Sequence, residues 1–219
     1  MYRIVFDMDG VIFDTEALSR RVWIEQAVEY GINDMDSLYP NIIGVSRTSG
    51  YKFLKETLGD KFPAEQFYKE VQKRMECIEA AEGIPFKKGA KELLEFLRER
   101  KALVGLASST NYEMIEHNLV VAGIRSFFQI IVGGDQVKMS KPEPEIYLKA
   151  CKNLGVNPQT TYAVEDSYNG VRSAYRAGMK TIMVPDLLAA TEEMEEMAEA
   201  VLPDLFAVKD FLEKQCDEA

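Results

Sequence analysis

The sequence predicts an α/β fold: a parallel sheet covered by helices on both faces and interrupted after its first strand by an all-helical insertion. Two observations lead there. Short apolar runs rich in branched residues recur along the chain, and the later ones alternate with segments of helical periodicity. The stretch from about residue 15 to 83 shows helical patterning alone. Alternation of strand and helix implies right-handed crossovers, hence a parallel sheet with helices on each side.

Taken in order, "YRIVF" at 2–6 is the first strand, short, branched and ended by Asp7. "TEALSRRVWIEQAVEYG" and "PAEQFYKEVQKRMECIEAAEG" follow as helices of the insertion, with hinges near Asp14–Thr15 and Gly83–Pro85. The expected organisation is an α/β core from 1–14 and 84–219 with a helical cap from 15–83; the alternative is that these helices pack on the sheet as part of one domain. "AKELLEFLRER" places Leu93, Leu94 and Leu97 on one helical face and precedes the strand "ALVGLA" at 102–107. "FFQIIV" at 127–132 is the third strand, and Ile146 and Ala150 mark the apolar face of the helix "PEIYLKACKNLG". "TYAV" at 161–164 and "KTIMV" at 180–184 complete the strands, and "TEEMEEMAEA" at 191–200 is an acidic helical run with a solvated face.

Composition narrows the function. Lys and Arg total 26 against 36 Asp and Glu, a net charge of −10, which argues against a nucleic-acid or anionic-membrane surface. Any anionic substrate must be held by local groups. Cys77, Cys151 and Cys216 are scattered without metal-ligand spacing, as reduced thiols of a cytoplasmic protein would be. The N-terminal apolar run is too short for a signal-peptide core or a membrane span.

In an open parallel sheet, functional side chains gather where strands end at their carboxyl edge. The first strand ends in Asp7 and Asp9, followed by Gly10, which lets the chain turn sharply. After the second comes "SSTNYE" with Ser108 and Ser109, after the third "GGDQVKMSKPEPE" with Lys141, and after the fourth "EDSYNG" with Glu165 and Asp166. Clustered carboxylates oppose one another's ionisation, so they must hold protons or a cation. Oxygen ligands without His or Cys favour Mg²⁺, which keeps several waters and can take a substrate phosphate oxygen. The single histidine, His117, falls in a helical segment and reads as a surface or satisfied residue rather than a ligand.

Beside such a cation Asp7 can attack phosphorus to give an aspartyl-phosphate, and Asp9 can serve as general acid and then base. Thr110 to Glu113 has the form of a helix capping box, which would converge N–H groups and the Ser108 hydroxyl on a phosphate. Lys141 precedes Pro142 and Glu143, an extended residue at a helix start, and its ammonium would balance the aspartates. Each piece alone is ordinary; four in order, each ending a different strand, are not.

These residues resemble the haloacid dehalogenase-like superfamily over nearly the whole chain. "DMDGVIFDT" is similar to its first motif, "LASST" to its second, "KMSKPEPEIY" to the lysine segment and "VEDSYNGVRSAYRAGM" to its acidic motif. The resemblance implies a Rossmann-like core, Asp7 as nucleophile, Asp9 as acid/base, and Mg²⁺ held by Asp7, the Asp9 carbonyl and Asp166, with Glu165 a direct or water-mediated partner. It also implies that Asp9 selects phosphatase or phosphomutase chemistry. "IIGVSRTSG" resembles a cap loop of the β-phosphoglucomutase-like subfamily and makes Arg47 a candidate for a distal substrate phosphate. That subfamily's mutases carry a cap histidine where Ser19 stands and a cap lysine where Met75 aligns, beside Lys73 and Arg74.

Those departures favour hydrolysis, because a mutase must shield its aspartyl-phosphate from water. The expected function is therefore a Mg²⁺-dependent phosphatase of a small phosphorylated metabolite, a sugar or polyol phosphate, acting as a monomer or weak homodimer. A phosphomutase of the β-phosphoglucomutase type is the alternative. A non-catalytic binding protein of the same fold would be expected to lose one of Asp7, Asp9, Lys141 or Asp166, and none is lost.

Overall fold

A computed structural model describes residues 1–42, 47–186 and 188–217. The chain divides into two compact units, Met1–Asp14 with Ile84–Ala219, and Thr15–Gly83. β1 (Arg3–Phe6) opens the first unit; the second carries α1 (Thr15–Glu29), α2 (Met35–Leu38), α3 (Arg47–Leu58) and α4 (Ala64–Glu82). The first then resumes with α5 (Ala90–Glu99), β2 (Leu103–Ser108), α6 (Tyr112–Val121), β3 (Ile130–Gly133), α7 (Glu145–Leu154) and β4 (Tyr162–Glu165). It closes with α8 (Tyr168–Arg176), β5 (Lys180–Met183), α9 (Glu192–Met197), β6 (Ala200–Val201) and α10 (Leu205–Asp217).

The predicted α/β alternation is present as a six-stranded sheet in the order β3-β2-β1-β4-β5-β6. Every pairing is parallel, with Phe6 opposite both Leu106 and Val164. Side chains alternate across a strand, and β1 shows the consequence: Ile4 and Phe6 join the cluster containing Leu93, Leu97 and Leu106, while Val5 joins Ile146, Tyr147 and Ala150. Both faces are thus buried under helices, which is why the strands read as continuous apolar runs. Truncating Phe6, fully buried, to Ala would cost on the order of 3–5 kcal/mol.

The helical unit has its own core. Trp23 from α1 meets Tyr39, Phe67 and Tyr68 edge-on, with ring centroids 5.9, 5.3 and 4.7 Å away. Leu18, Val22, Leu54 and Val71 fill the space around them. Among the described residues no helix is long and apolar enough to cross a membrane.

Two elements differ from the sequence reading. The third strand starts at Ile130, because Arg125–Phe127 form a turn of 3-10 helix and the Arg125 guanidinium takes the Phe128 carbonyl at 2.7 Å. The acidic run is helical only to Met197; Ala198 is extended and the Glu199 N–H donates to Thr181 O at 2.7 Å, laying the chain against β5 as the two-residue β6.

Candidate active site

The strand order reverses direction between β1 and β4, since the chain leaves β1 for β2 on one side and reaches β4 on the other. A crevice opens at the carboxyl ends of strands at such a switch point. Asp7 follows β1 there, its N–H donating to Val164 O at 3.0 Å, and Glu165 ends β4 with Asp166 next. One oxygen from each of Asp7, Glu165 and Asp166 lies within 4.8 Å of the others.

Lys141 binds them together. Its ammonium donates to Asp7 Oδ1 at 2.7 Å, to Glu165 Oε1 at 2.5 Å and to the Ala107 carbonyl at 3.2 Å. The Lys141–Pro142 peptide is cis. The predicted helix start at Pro142–Glu143 is corrected: α7 begins at Glu145, whose carboxylate first accepts the N–H groups of Lys138 and Met139 at 3.0 and 2.9 Å. Those bonds wrap the loop back on itself and aim Lys141 inward before the helix begins.

Tyr147 carries no functional signal in the sequence, because its position belongs to the buried face of α7, where it reads as core. Its hydroxyl donates to Glu165 Oε1 at 2.6 Å and its ring lies 5.2 Å from the Lys141 ammonium. Glu165 Oε1 therefore accepts from two protein donors, and Ser167 Oγ donates to Oε2 at 3.3 Å.

Asp9 is placed apart from the three carboxylates. Its Oδ2 accepts from Thr110 Oγ1 at 2.9 Å and from Ser108 Oγ at 3.4 Å. The predicted capping box at Thr110 is thereby corrected. Thr110 spends its hydroxyl on Asp9, and Asn111 caps α6 by accepting the Met114 N–H at 2.9 Å, while Asp135 Oδ1 takes the Tyr112 N–H at 2.7 Å. Ser108 ends β2 and accepts the Thr110 N–H at 3.1 Å. Ser109 follows at the same turn. The proposed cap loop Gly44-Val45-Ser46 and the Arg47 side chain lie outside the described residues, as does the Cys216 side chain. His117 is exposed on α6.

Burial at low dielectric disfavours charge and carboxylates repel. Burial, with the charges of Glu165 and Asp9, pushes Asp7 up to about 7 against the opposing pull of Lys141. Burial, with Glu165 and Asp7, pushes Asp166 up to about 9. Burial alone would lower the Lys141 ammonium, but Asp7 and Glu165 outweigh it and raise it. One lysine thus stands against three clustered acids.

The site fits a hard divalent cation. Its donors are carboxylate oxygens, with no nitrogen or sulfur among them. Glycine is required beside it: Gly10 has φ +76°, and a Cβ there would sit 2.1 Å from Asp166 Oδ2. A Cβ on Gly170 would come within 2.2 Å of both Glu165 oxygens and its carboxyl carbon.

The family model for haloacid dehalogenase-like hydrolases matches residues 4–184. A Thermotoga maritima protein named phosphorylated carbohydrates phosphatase is 35% identical over 182 residues, covering 83% of this chain and 84% of that protein. Hexitol phosphatase B of Escherichia coli K12 is 28% identical over 213 residues, covering 95% of each. A crystal structure of CbbY from Rhodobacter sphaeroides in complex with phosphate superposes with a TM-score of 0.70 at 27% identity, covering 94% of this chain and 95% of that one.

Proposed function

Because the chain belongs to the haloacid dehalogenase-like hydrolase family, we propose that it is a Mg²⁺-dependent phosphatase that hydrolyses a small phosphorylated carbohydrate or polyol through an aspartyl-phosphate. The observation that carries this reading is the meeting of Asp7, Lys141, Glu165 and Asp166 at the switch point between β1 and β4. Relatives named for phosphorylated carbohydrates and hexitols support the substrate class.

Asp7, Asp166 and the Asp9 carbonyl would hold the Mg²⁺, with Glu165 beside them, directly or through water. When bound, the ion neutralises clustered carboxylates and the charge of a phosphoryl group. Asp7 attacks phosphorus and the P–O ester bond breaks. Asp9 gives its proton to the leaving alkoxide, then takes a proton from the water that attacks the aspartyl-phosphate, and phosphate departs from Asp7. Lys141, fixed between Asp7 and Glu165, places its positive charge where phosphoryl charge develops. The hydroxyl and N–H groups around Ser108 and Ser109 complete the phosphate cradle. In this reading the helical unit acts as a mobile cap, with Arg47 the candidate for a substrate phosphate distal to the reacting one.

The test is phosphate release from a panel of hexitol, pentitol and sugar phosphates with Mg²⁺ and with EDTA. Release that needs Mg²⁺ and vanishes in a folded Asp7→Asn variant is expected. Activity persisting in that variant would refute the covalent route, and isomerisation of β-glucose 1-phosphate outrunning hydrolysis would make the protein a mutase.

A further inference from the structure

The turn after β5 carries an acidic residue that the mechanism above does not use. Val184 N–H donates to Glu165 O at 2.7 Å, so the chain leaving β5 is still fastened to the end of β4 as it approaches Asp186. Asp186 Oδ1 accepts from the Lys87 ammonium at 2.7 Å. Lys87 in turn lies 3.7 Å from Asp14 Oδ1 and is anchored by its own N–H to Ile12 O at 2.9 Å. The Asp186 side chain is 13% exposed. Its other oxygen, Oδ2, is the one buried side-chain oxygen or nitrogen among the described residues left without a hydrogen-bond partner.

A buried acceptor without a donor is costly, and native proteins keep one chiefly where a ligand or ordered water satisfies it. Lys87 donates to Oδ1 and not to Oδ2. Asp186 is also outside the group of oxygens that approach one another at Asp7, Glu165 and Asp166, so it is no direct ligand of an ion held there. Its charge nevertheless reaches that group: behind burial and the charges of Glu165, Asp7 and Lys141, Asp186 also raises Asp166. A small divalent cation retains several waters whose hydrogens point outward.

We propose that Asp186 is a positioning residue for the hydration shell of the bound cation, its Oδ2 accepting from a cation-bound water while Lys87 occupies Oδ1. This rests on the Mg²⁺ reading above and extends it to a residue in the turn after β5. Groups outside the direct ligands that orient a metal's shell are typically worth about 10–100-fold in affinity or activity.

The experiment is titration of the metal-free full-length protein with MgCl₂ alone, followed by calorimetry and by melting temperature, with no substrate present. In Asp186→Asn the carbonyl stays with Lys87 and an NH₂ group replaces Oδ2; it cannot accept from a water, so Mg²⁺ affinity falls about tenfold. Lys87→Met breaks the same ion pair but keeps the carboxylate, and its Mg²⁺ affinity stays within about twofold of wild type or rises, since removing a cation makes the site more negative. Asp186→Ala, which removes the carboxylate without placing a donor there, repeats the loss if the asparagine variant does not fold. A purely structural ion pair predicts otherwise: both variants melt lower, and Mg²⁺ affinity is unchanged in both or reduced equally in both. Either result overturns the assignment. Failure of the wild-type protein to bind Mg²⁺ at all would instead remove the metal reading itself.

Discussion

Replacing Asp7 by Asn should make the metal-free protein more stable at pH 8 while removing its activity. The Asp7 carboxyl is held at about 7 in the fold, against about 3.9 in an unfolded chain. A carboxyl raised by folding keeps its full stability below the unfolded value, and that stability is lost as pH rises toward the folded one. The window for Asp7 therefore runs from about pH 4 to pH 7, and above it the ionised side chain costs the fold on the order of 4 kcal/mol. Asparagine lifts that cost but also weakens a partner of Lys141, which keeps Glu165 and the Ala107 carbonyl. A net gain of about 1–3 kcal/mol remains after that loss. For 219 residues, 1 kcal/mol moves the melting temperature by about 2 °C, so a rise of about 2–6 °C is expected at pH 8 in EDTA. The gain should shrink to nothing near pH 4. Thermal melts of both proteins in EDTA across this range decide it. A variant that melts lower than wild type at pH 8, or a difference that does not change with pH, would refute the claim that burial and like charge dominate at Asp7.

Three further outcomes follow from the same geometry. Mg²⁺ at a hundred times its dissociation constant should stabilise the protein by about 2.7 kcal/mol, and its binding should release protons at pH 7, read as a buffer-dependent heat in calorimetry, because Asp7 and Asp166 give up protons to admit it. Gly10→Ala should weaken Mg²⁺ binding and lower stability by about 1–3 kcal/mol, since the new Cβ meets Asp166 Oδ2 at 2.1 Å in a left-handed backbone; unchanged Mg²⁺ affinity by titration would show that Asp166 is not held in place by that contact. Tyr147→Phe keeps the packing but removes one of two donors to Glu165 Oε1, so denaturant unfolding should show a loss of about 1.5–3 kcal/mol.

Much of this site was legible because its chemistry falls at strand ends, which hydrophobic patterning marks. Asp7, Glu165 and Asp166 stand where apolar runs stop, and Lys141 stands before a proline in a loop between two periodic segments. What stayed hidden depends on which partner a side chain chooses. Thr110 has the spacing of a cap, yet its hydroxyl bonds Asp9, a residue 101 positions away, and no local pattern records that choice. Tyr147 has the spacing of core, and only the third dimension shows its hydroxyl on Glu165. β6 escaped because two residues in an acidic run carry too little periodicity to register.

The topology explains why a lysine holds this site together. Lys141 enters from the loop after β3, two strands away from β1, yet it touches the Ala107 carbonyl on β2, Asp7 beyond β1 and Glu165 on β4. Neighbouring strands lie about 4.8 Å apart, so a cation from that loop must cross the ends of several strands to reach the switch point. A long, unbranched side chain with a compact charge can do this within a passage where its side chain is 7% exposed; a planar guanidinium needs more room and places its donors in a fixed fork. The same reach gives the ammonium a second function. It draws β2, β1 and β4 together at their carboxyl ends, so the charge that would meet a phosphoryl group also offsets the repulsion that three converging acids impose on the fold.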